Sequence, residues 1–281
     1  MEIAVTVPEV RERVKAWRRE GLSVGLVPTM GFLHEGHKSL ILRAAAENDR
    51  VVVSDFVNPI QFGPKEDLAS YPRDFAADKA LVESAGGHLI FHPEPAAMYE
   101  PDFCTFVEVQ NLGKSLCGKT RPTHFRGVCT VVSKLFNIVA PDRAYFGQKD
   151  AQQLAIVRRM VRDMNFDLEI VGCPIIREED GLAKSSRNTY LNPAERKAAV
   201  VLSRAVRAGE RLMQEGERSA AAVLKTMRDI LEAEPLARID YVDMVDAFSM
   251  EPIERADHPV LCAMAVYIGK TRLIDNFIFE G

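Results

Sequence analysis

The sequence predicts an α/β protein in which a doubly wound parallel sheet is followed by a smaller α+β domain. Over the first 176 residues, short apolar runs alternate with stretches in which apolar residues recur at helical spacing. Strands and helices that alternate in this way form βαβ units with parallel strands. A polar loop then leads into two helices and two long strand-like stretches. We therefore predict a Rossmann-like domain at 1–176 and an α+β domain at 177–281.

The elements of the first domain follow from periodicity and from the residues that stop each run. An apolar run from Leu22 to Thr29, a helical pattern from about His37 to Glu47 and a second run from Val51 to Val57 form the first unit. The same criteria predict a helix at 76–85, strands at 88–92 and 105–109, a helix at 128–139, a strand at 143–146, a helix at 150–164 and a strand at 168–176. Ligands of such sheets bind beyond the carboxyl ends of the strands, so function is expected in the β-to-α loops.

The second domain begins with a clear helix-start signal. Asn192 is a favoured N-cap, with Pro193 at the first helical position and Glu195 at the third. Helices are predicted at about 193–215 and 219–233. Strand-like stretches follow at 238–247 and 260–279, the second of them folded by a turn near 269–271.

Composition excludes several classes of protein. The chain has 281 residues, with 36 basic and 40 acidic side chains and a net charge of -4. This balance gives no general field for attracting nucleic acid or an anionic membrane. No apolar run approaches the roughly 20 residues that span a bilayer, and the start of the chain does not resemble a signal peptide. The 5 cysteines form no C-x-x-C pair. We expect a cytoplasmic protein with reduced thiols.

The loop after the first predicted strand carries two histidines. His34 and His37 crowd the start of the following helix, where a protonated imidazole opposes the helix dipole unless an anion such as phosphate binds there. The alternative is that both rings only cap the helix or face solvent. The spacing does not fit the H-E-x-x-H zinc motif, and Gly31 and Gly36 supply only the outer frame of a dinucleotide-binding loop.

A second phosphate-binding pattern lies downstream. Residues 113–120 satisfy the P-loop pattern G-x-x-x-x-G-K-[ST] in full. A P-loop works by running directly into a helix whose N-terminus holds the phosphates. Here Arg121, Pro122 and Thr123 intervene, and helical periodicity starts only at Val128. We therefore interpret the match as a chance occurrence in a basic loop.

Two further clusters are suited to phosphate. Lys149 and Asp150 lie where a predicted strand enters a predicted helix; the lysine can neutralise phosphate and the aspartate is a favoured N-cap. Residues 184–188 place two cations, two hydroxyls and an amide in a loop without apolar periodicity. Such a loop either folds around polyphosphate or is simply solvated.

Six segments, taken together and in order, resemble the pantothenate synthetase family. They are PTMGFLHEGH at 28–37, FVNPIQFG at 56–63, YPRD at 71–74, HFRGV at 124–128, FGQKDAQQL at 146–154 and SSRN at 185–188. The H-x-G-H and S-S-R-N segments also resemble phosphate-binding signatures of the wider superfamily of nucleotidyltransferases and class I aminoacyl-tRNA synthetases. The chain departs from the family pattern at Ala151 and at Lys184, which either adds a phosphate contact or points to solvent.

The resemblance implies ATP-dependent joining of pantoate to β-alanine through pantoyl adenylate, with AMP and pyrophosphate released and Mg²⁺ on the triphosphate. It implies catalytic roles for His34, His37 and Lys149. The implied ATP-binding residues are Met30, His34, His37, Gly147, Lys149, Asp150, Ser185, Ser186 and Arg187. The implied substrate-binding residues are Gln61, Gln153, Pro28, Met30, Asn58, Tyr71, Val131, Val132 and Phe146.

The resemblance also implies a homodimer, with a nucleotide- and pantoate-binding domain at 1–176 and a second domain at 177–281 that closes over the ATP site. It does not indicate metal ligands or β-alanine contacts. Two alternative functions stay open. One is a nucleotidyltransferase that leaves the nucleotide on its product, and the other is a non-catalytic module that senses ATP.

Overall fold

The structure, a computed structural model, describes residues 1–64 and 66–281 and divides into two compact units. The first unit comprises residues 1–109, 121–148 and 156–174, and the second comprises 110–120, 149–155 and 175–281. The chain enters the second unit for the last time after Pro174, two residues before the domain boundary predicted at 176. The two short segments that join the second unit were not predicted.

A six-stranded parallel sheet forms the centre of the first unit, as predicted. Its strands are β1 (Glu2–Ala4), β2 (Val24–Thr29), β3 (Arg50–Asp55), β4 (Leu89–Phe91), β5 (Arg143–Gly147) and β6 (Glu169–Cys173). They lie in the order β1-β4-β3-β2-β5-β6, and each pair is parallel. Val51, Val52 and Val53 are fully buried, as expected for a strand covered on both faces.

The order of the strands reverses at β2, which pairs with β3 on one side and β5 on the other. Pairing with β5 involves Gly25 and Leu26, whereas the two strands continue to Thr29 and Gly147. The strands therefore separate toward their carboxyl ends. Such a switch point is where open α/β sheets bind ligands.

One predicted strand is wrong, and two elements at the start of the chain were missed. Residues 105–109 have no assigned secondary structure, and β1 occupies the edge of the sheet instead. The helix that follows β1 is α1 (Val7–Arg19). Its start has a readable signal, because the Thr6 and Glu9 side chains form a capping box around the first turn.

The remaining helices include every predicted one, in the predicted order, and two short helices that were not predicted, at 95–98 and 116–120. They are α2 (Glu35–Glu47), α3 (Phe75–Ser84), α4 (Pro95–Met98), α5 (Leu116–Thr120), α6 (His124–Val139), α7 (Ala151–Asp163), α8 (Pro193–Ala198), α9 (Val201–Gln214) and α10 (Ala220–Glu232). The helix predicted at 193–215 is interrupted near Val200, so that α8 and α9 are separate helices. No helix among the described residues has the length and apolar character needed to cross a membrane.

The second unit is built on a three-stranded antiparallel sheet. Its strands are β7 (Ala237–Asp246), β8 (Val260–Ile268) and β9 (Thr271–Phe279), in that order. The last two form the predicted hairpin, with Gly269 in its turn. Apolar residues of α9, α10 and this sheet form one core, in which Val223, Val242 and Met264 are fully buried. The smaller α+β domain predicted from the sequence is confirmed.

Candidate active site

The H-x-G-H loop joins β2 to α2 and is closed by its own histidines. His34 is the N-cap of α2, and its Nδ1 accepts a hydrogen bond from Gly36 N at 3.1 Å. Nδ1 of His37 accepts from His34 N at 3.2 Å, which completes a reciprocal capping arrangement. A ring nitrogen that accepts an N–H carries no proton, so in this conformation both rings are neutral with their proton on Nε2.

This geometry changes the expectation drawn from the helix dipole. Neutral imidazoles do not oppose the positive end of α2, and His34 and His37 stabilise its first turn instead. The capping interpretation is therefore correct as far as Nδ1 is concerned. Each ring is also a hydrogen-bond donor through Nε2, which is the property that binding a phosphate requires.

Two carboxylates lie beneath this loop and were not predicted. Asp78 accepts hydrogen bonds from Phe32 N at 2.7 Å and Leu33 N at 2.6 Å. Burial raises the pKa of Asp55 to about 6, and the nearby charge of Asp78 acts in the same direction. No sequence pattern connects these residues to the loop, since they follow it by more than 20 positions and lie on other elements.

A chain of neutral polar groups links three of the predicted substrate-binding residues. Asn58 Nδ2 donates to Gln61 Oε1 at 2.9 Å, and Gln61 Nε2 lies 2.9 Å from the Met30 sulfur. Tyr99, which was not predicted, donates from its hydroxyl to Asn58 Oδ1 at 2.7 Å. Burial raises the pKa of Tyr99 well above its ordinary value, so the hydroxyl stays a donor. These amides can orient a carboxylate or hydroxyl without placing a charge beside it.

Helix α6 fixes the position of Gln61. His124 Nδ1 lies 3.0 Å from the carbonyl oxygen of Gln61, and Asn58 Nδ2 donates to the carbonyl of Gly127 at 3.2 Å. A Cβ on Gly127 would lie 2.5 Å from both Gln61 Cα and the carbonyl oxygen of Ile60. Only glycine allows the helix to approach the turn at 59–61 this closely.

The predicted apolar substrate contacts are all at least partly buried. Val131 and Val132 lie on α6, Phe146 on β5 and Pro28 on β2, while the Tyr71 ring packs edge-on against Phe62. Core residues show the same burial. Burial alone therefore does not show that these apolar residues contact substrate, and that assignment stays a prediction.

In the second unit, Lys149 lies in a tight turn that leads directly into α7. Its Nζ is 3.8 Å from Asp150 Oδ2, and its carbonyl oxygen accepts from Asn276 Nδ2 at 2.8 Å. Gln153 is partly buried on the first turn of α7. The neighbouring Gln152 is structural, since its amide bonds Cys117 N and the carbonyls of Leu112 and Ser115.

The S-S-R-N segment forms a 3-10 turn, Ser186–Tyr190, that is capped by Ser185. Ser185 Oγ accepts from Arg187 N at 3.3 Å, and Ser186 is buried. Lys184, whose role the sequence left open, forms an ion pair with Glu178 at 2.9 Å. That contact explains how a lysine is accommodated before the serine pair.

Strand β9 supports both phosphate-type segments of this unit. Asp275 is 1% exposed and receives a two-point ion pair from Arg177, which lies at the base of the loop before Ser185. The next residue, Asn276, holds the Lys149 carbonyl, and the 3-10 turn of the S-S-R-N segment also contacts β9. Two consecutive polar residues between the apolar pairs 273–274 and 277–278 of the strand are a sequence signal that could have found this support.

The P-loop pattern at 113–120 has a different structure. Its last five residues form α5, so Lys119 and Thr120 end a short helix instead of beginning a long one. A Cβ on Gly118 would clash with the carbonyl of Gly113, which shows how tightly the segment is folded. The geometry agrees with the interpretation of the pattern as a chance match.

A parallel sheet with a switch point, and an H-x-G-H loop at a helix N-terminus beside it, define a nucleotide-binding α/β protein. The family model for pantoate-beta-alanine ligase matches residues 2–278. The chain therefore belongs to the pantoate-beta-alanine ligase family.

Individual relatives agree over the full length of the chain. A pantothenate synthetase of Ruminiclostridium cellulolyticum is 61% identical over 279 residues, which cover 99% of each chain. The crystal structure of pantothenate synthetase from Thermus thermophilus has a TM-score of 0.93 at 47% identity and 99% coverage of both chains. That of pantoate-beta-alanine ligase from Francisella tularensis, complexed with beta-gamma ATP and beta-alanine, has a TM-score of 0.80 at 32% identity, with 99% of this chain and 97% of that one covered.

Proposed function

We propose that this ligase joins pantoate to β-alanine in two half-reactions, with pantoyl adenylate as the intermediate. The observation that carries the proposal is the H-x-G-H loop beside the switch point, in a chain that matches the ligase family over residues 2–278. The loop places two ring donors at a helix N-terminus, where anions bind favourably.

In the first half-reaction, the pantoate carboxylate attacks the α-phosphorus of ATP and pyrophosphate leaves. Negative charge concentrates on the phosphate oxygens, so catalysis is mainly alignment and electrostatic stabilisation. We propose that the two histidines donate through Nε2 and that Lys149 supplies a cation. The remaining proposed nucleotide contacts are Met30, Gly147, Asp150, Ser185, Ser186 and Arg187.

Pantoate is proposed to bind to amides and an apolar wall. Gln61 and Gln153 orient its carboxylate and hydroxyls, and the amide chain through Asn58 and Tyr99 supports Gln61. Neutral amides leave the carboxylate more nucleophilic than a salt bridge would. The gem-dimethyl group is proposed to contact apolar side chains, which are Pro28, Met30, Val131, Val132 and Phe146, with Tyr71 at the edge of the pocket.

In the second half-reaction, the amine of β-alanine attacks the acyl carbonyl. The carbon–nitrogen bond forms, the bond from the acyl carbon to the phosphate oxygen breaks, AMP leaves with the electron pair, and the nitrogen releases one proton to water. The adenylate is already activated, so no protein nucleophile is needed. We propose that the second domain closes over ATP and excludes water during both steps.

Mg²⁺ enters this proposal as part of the nucleotide substrate. Magnesium in such sites is held largely by substrate phosphates and water, with one or two carboxylates. Among residues 1–64 and 66–281, no group of three His, Cys, Asp or Glu side chains is arranged to hold a metal ion.

We further propose a cytoplasmic homodimer that pairs along residues 104–109. The sequence of this segment alternates like that of a strand, and 45% of Phe106 is exposed. Val107 N bonds Thr130 Oγ1 on α6, which keeps the segment in place. An exposed segment with strand-like alternation can pair as a strand with a second copy of the chain. The free thiols of all five cysteines suit a reducing compartment.

Pyrophosphate release, measured with ATP, pantoate and β-alanine and with each omitted in turn, tests the proposed reaction. We expect release to require ATP and pantoate, and multiple turnovers to require β-alanine. A nucleotidyltransferase would instead give a stable adenylated product without amine. A module that only senses ATP would release no pyrophosphate when pantoate is added.

A further inference from the structure

Two buried carboxylates lie under the backbone of the H-x-G-H loop. Asp78, on α3, is 3% exposed, and Asp55, at the end of β3, is 4% exposed. Buried carboxylates are rare unless they are paired or hydrogen-bonded. Neither residue has a role in the proposed reaction as described above, so their position beside the loop requires an explanation.

Asp78 binds the loop with both carboxylate oxygens. Oδ2 accepts from Phe32 N at 2.7 Å and Oδ1 accepts from Leu33 N at 2.6 Å. The turn that these bonds hold is unusual, because Gly31 has a φ of 78° and Phe32 a φ of 50°. A residue other than glycine keeps such a conformation only where its surroundings enforce it. The carboxylate of Asp78 is the group that contacts the turn at two consecutive N–H groups.

Asp55 closes the other side of the same turn. A Cβ on Gly31 would clash with Asp55 Oδ1 and would lie 3.3 Å from Asp78 Oδ2, so the turn lies directly against both carboxylates. His92 Nδ1 lies 2.9 Å from the Asp55 carbonyl and 3.3 Å from its Oδ2. The His92 ring in turn stacks on Phe75 at 4.3 Å. The loop is thus seated on groups from β3, α3 and the end of β4.

The conformation of this turn also determines where the two histidine rings lie, because the turn continues directly into α2. Leu33 is bonded covalently to His34, the N-cap of α2, and His34 N is the donor that fixes the His37 ring. A rotation of the turn therefore moves both rings. A displacement of about 1 Å in a catalytic group can cost about 10²-fold in rate.

We propose that Asp78 is a positioning residue for adenylation: by holding the N–H groups of Phe32 and Leu33 it sets the direction in which His34 and His37 present their Nε2 donors. The inference rests on the proposed function for its effect on catalysis. The structural claim, that Asp78 holds the turn and thereby orients the two rings, does not depend on that function.

Asp78→Asn tests this proposal. The amide has the same shape, but it can accept only one of the two N–H groups and turns a donor toward the other. The matched control is Asp74→Asn on the same helix, which removes a charge yet keeps the oxygen that accepts from Ala77 N. If Asp78→Asn does not fold, the same test is made with Asp78→Ser, in which the side chain is smaller.

Two measurements are made on each folded variant. The first is kcat and KM for pantoate-dependent pyrophosphate release. The second is the nitrogen-15 NMR spectrum of the imidazoles, with the His34 and His37 signals assigned from the single variants His34→Gln and His37→Gln. An Nδ1 that accepts an N–H gives the spectrum of the Nε2–H tautomer, and this readout requires no catalysis.

For Asp78→Asn we expect kcat to fall about 10²-fold, KM for pantoate to change less than threefold, and the tautomer signals of both rings to change. For Asp74→Asn we expect kcat, KM for pantoate and the ring signals to match those of the wild type. Unchanged ring signals in folded Asp78→Asn, or an equal loss of kcat in Asp74→Asn, would overturn the proposal. Failure of the proposed function would look different, because the wild type itself would then show no turnover.

Discussion

At the scale of single residues, His34 and His37 combine two roles that depend on different nitrogens. Nδ1 of each ring accepts a backbone N–H and caps α2. The ring proton is thereby placed on Nε2, which is the donor proposed to contact phosphate. One interaction stabilises the helix and also selects the tautomer needed for binding. The two roles can be separated by substitution, because Asn places its amide near Nδ1 and Gln places its amide near Nε2.

We expect His37→Asn to keep the cap and lose the phosphate contact. Adenylation should fall by roughly 10²-fold, while unfolding in urea should match the wild type within about 0.5 kcal/mol. His37→Gln should show the opposite pattern, with the smaller loss of rate and a loss of about 1 kcal/mol in stability. Rates and urea midpoints of the two variants check this, and equal rates would show that Nε2 does not act in the reaction.

The pKa of Asp55 leads to a prediction about how the free energy of unfolding depends on pH. Burial and the charge of Asp78 raise the pKa of Asp55 to about 6, above the value of 3.8 that an unperturbed aspartate has. Between these two values the folded state binds more protons than the unfolded state, so the free energy of unfolding falls as pH rises through this range. Asp55 therefore destabilises the fold above about pH 6, on the order of 2 to 3 kcal/mol.

We expect Asp55→Asn to be more stable than the wild type at pH 8, on the order of 2 kcal/mol, because the amide carries no charge to bury. The difference should narrow by about half or more at pH 5, where the wild-type carboxyl is largely protonated. Urea unfolding of both proteins at each pH measures this. A stability difference that does not vary with pH would contradict the assigned pKa.

At the scale of secondary-structure elements, β9 and α6 each hold residues that are proposed to bind substrate. Strand β9 bonds Arg177 and the Lys149 backbone through two consecutive side chains, Asp275 and Asn276. Helix α6 approaches the turn at 59–61 so closely that Gly127 is required. Each element orients a residue of the proposed site without contributing a reacting group.

Gly127→Ala should therefore disturb both stability and pantoate binding. The added methyl has no space beside Gln61, so we expect a loss of about 1–3 kcal/mol and a KM for pantoate raised by about tenfold or more. Gly63→Ala is the matched control, since the nearest atom to its added Cβ is 3.7 Å away. Urea unfolding and pantoate titrations compare the two, and similar behaviour of both variants would refute the close-approach argument.

At the scale of the whole molecule, the proposed dimer depends on the exposed segment at 104–109. We expect sedimentation at twice the chain mass of 31.3 kDa. Phe106→Asp places a charge on the proposed pairing edge and should shift the equilibrium toward monomer by about tenfold or more. Phe248→Ser, at another exposed phenylalanine, should leave assembly unchanged. A wild-type chain that sediments as a monomer would refute the proposed pairing.

Patterns local in the chain predicted most of the fold. The periodicity of the apolar runs was enough for the order of helices and strands, and the capping box at Asn192 and Glu195 formed as expected. The same reasoning failed at 105–109, because alternation shows that a segment suits a strand but not which strand it pairs with. It also missed α1, although Thr6 and Glu9 carry the same kind of signal as Asn192.

The sequence by itself determined the fold class, the family and the loops that carry the phosphate-type residues, because each is encoded in short stretches of chain. Only the tertiary structure decided that the histidines are neutral caps, that Asp78 and Asp55 seat their loop, and that Asp275 and Asn276 support the lysine and serine segments. The contacts of Asp78, Asp55, Asp275 and Asn276 join residues far apart in the chain, and their energies depend on burial and distance. Neither quantity exists until the chain is folded.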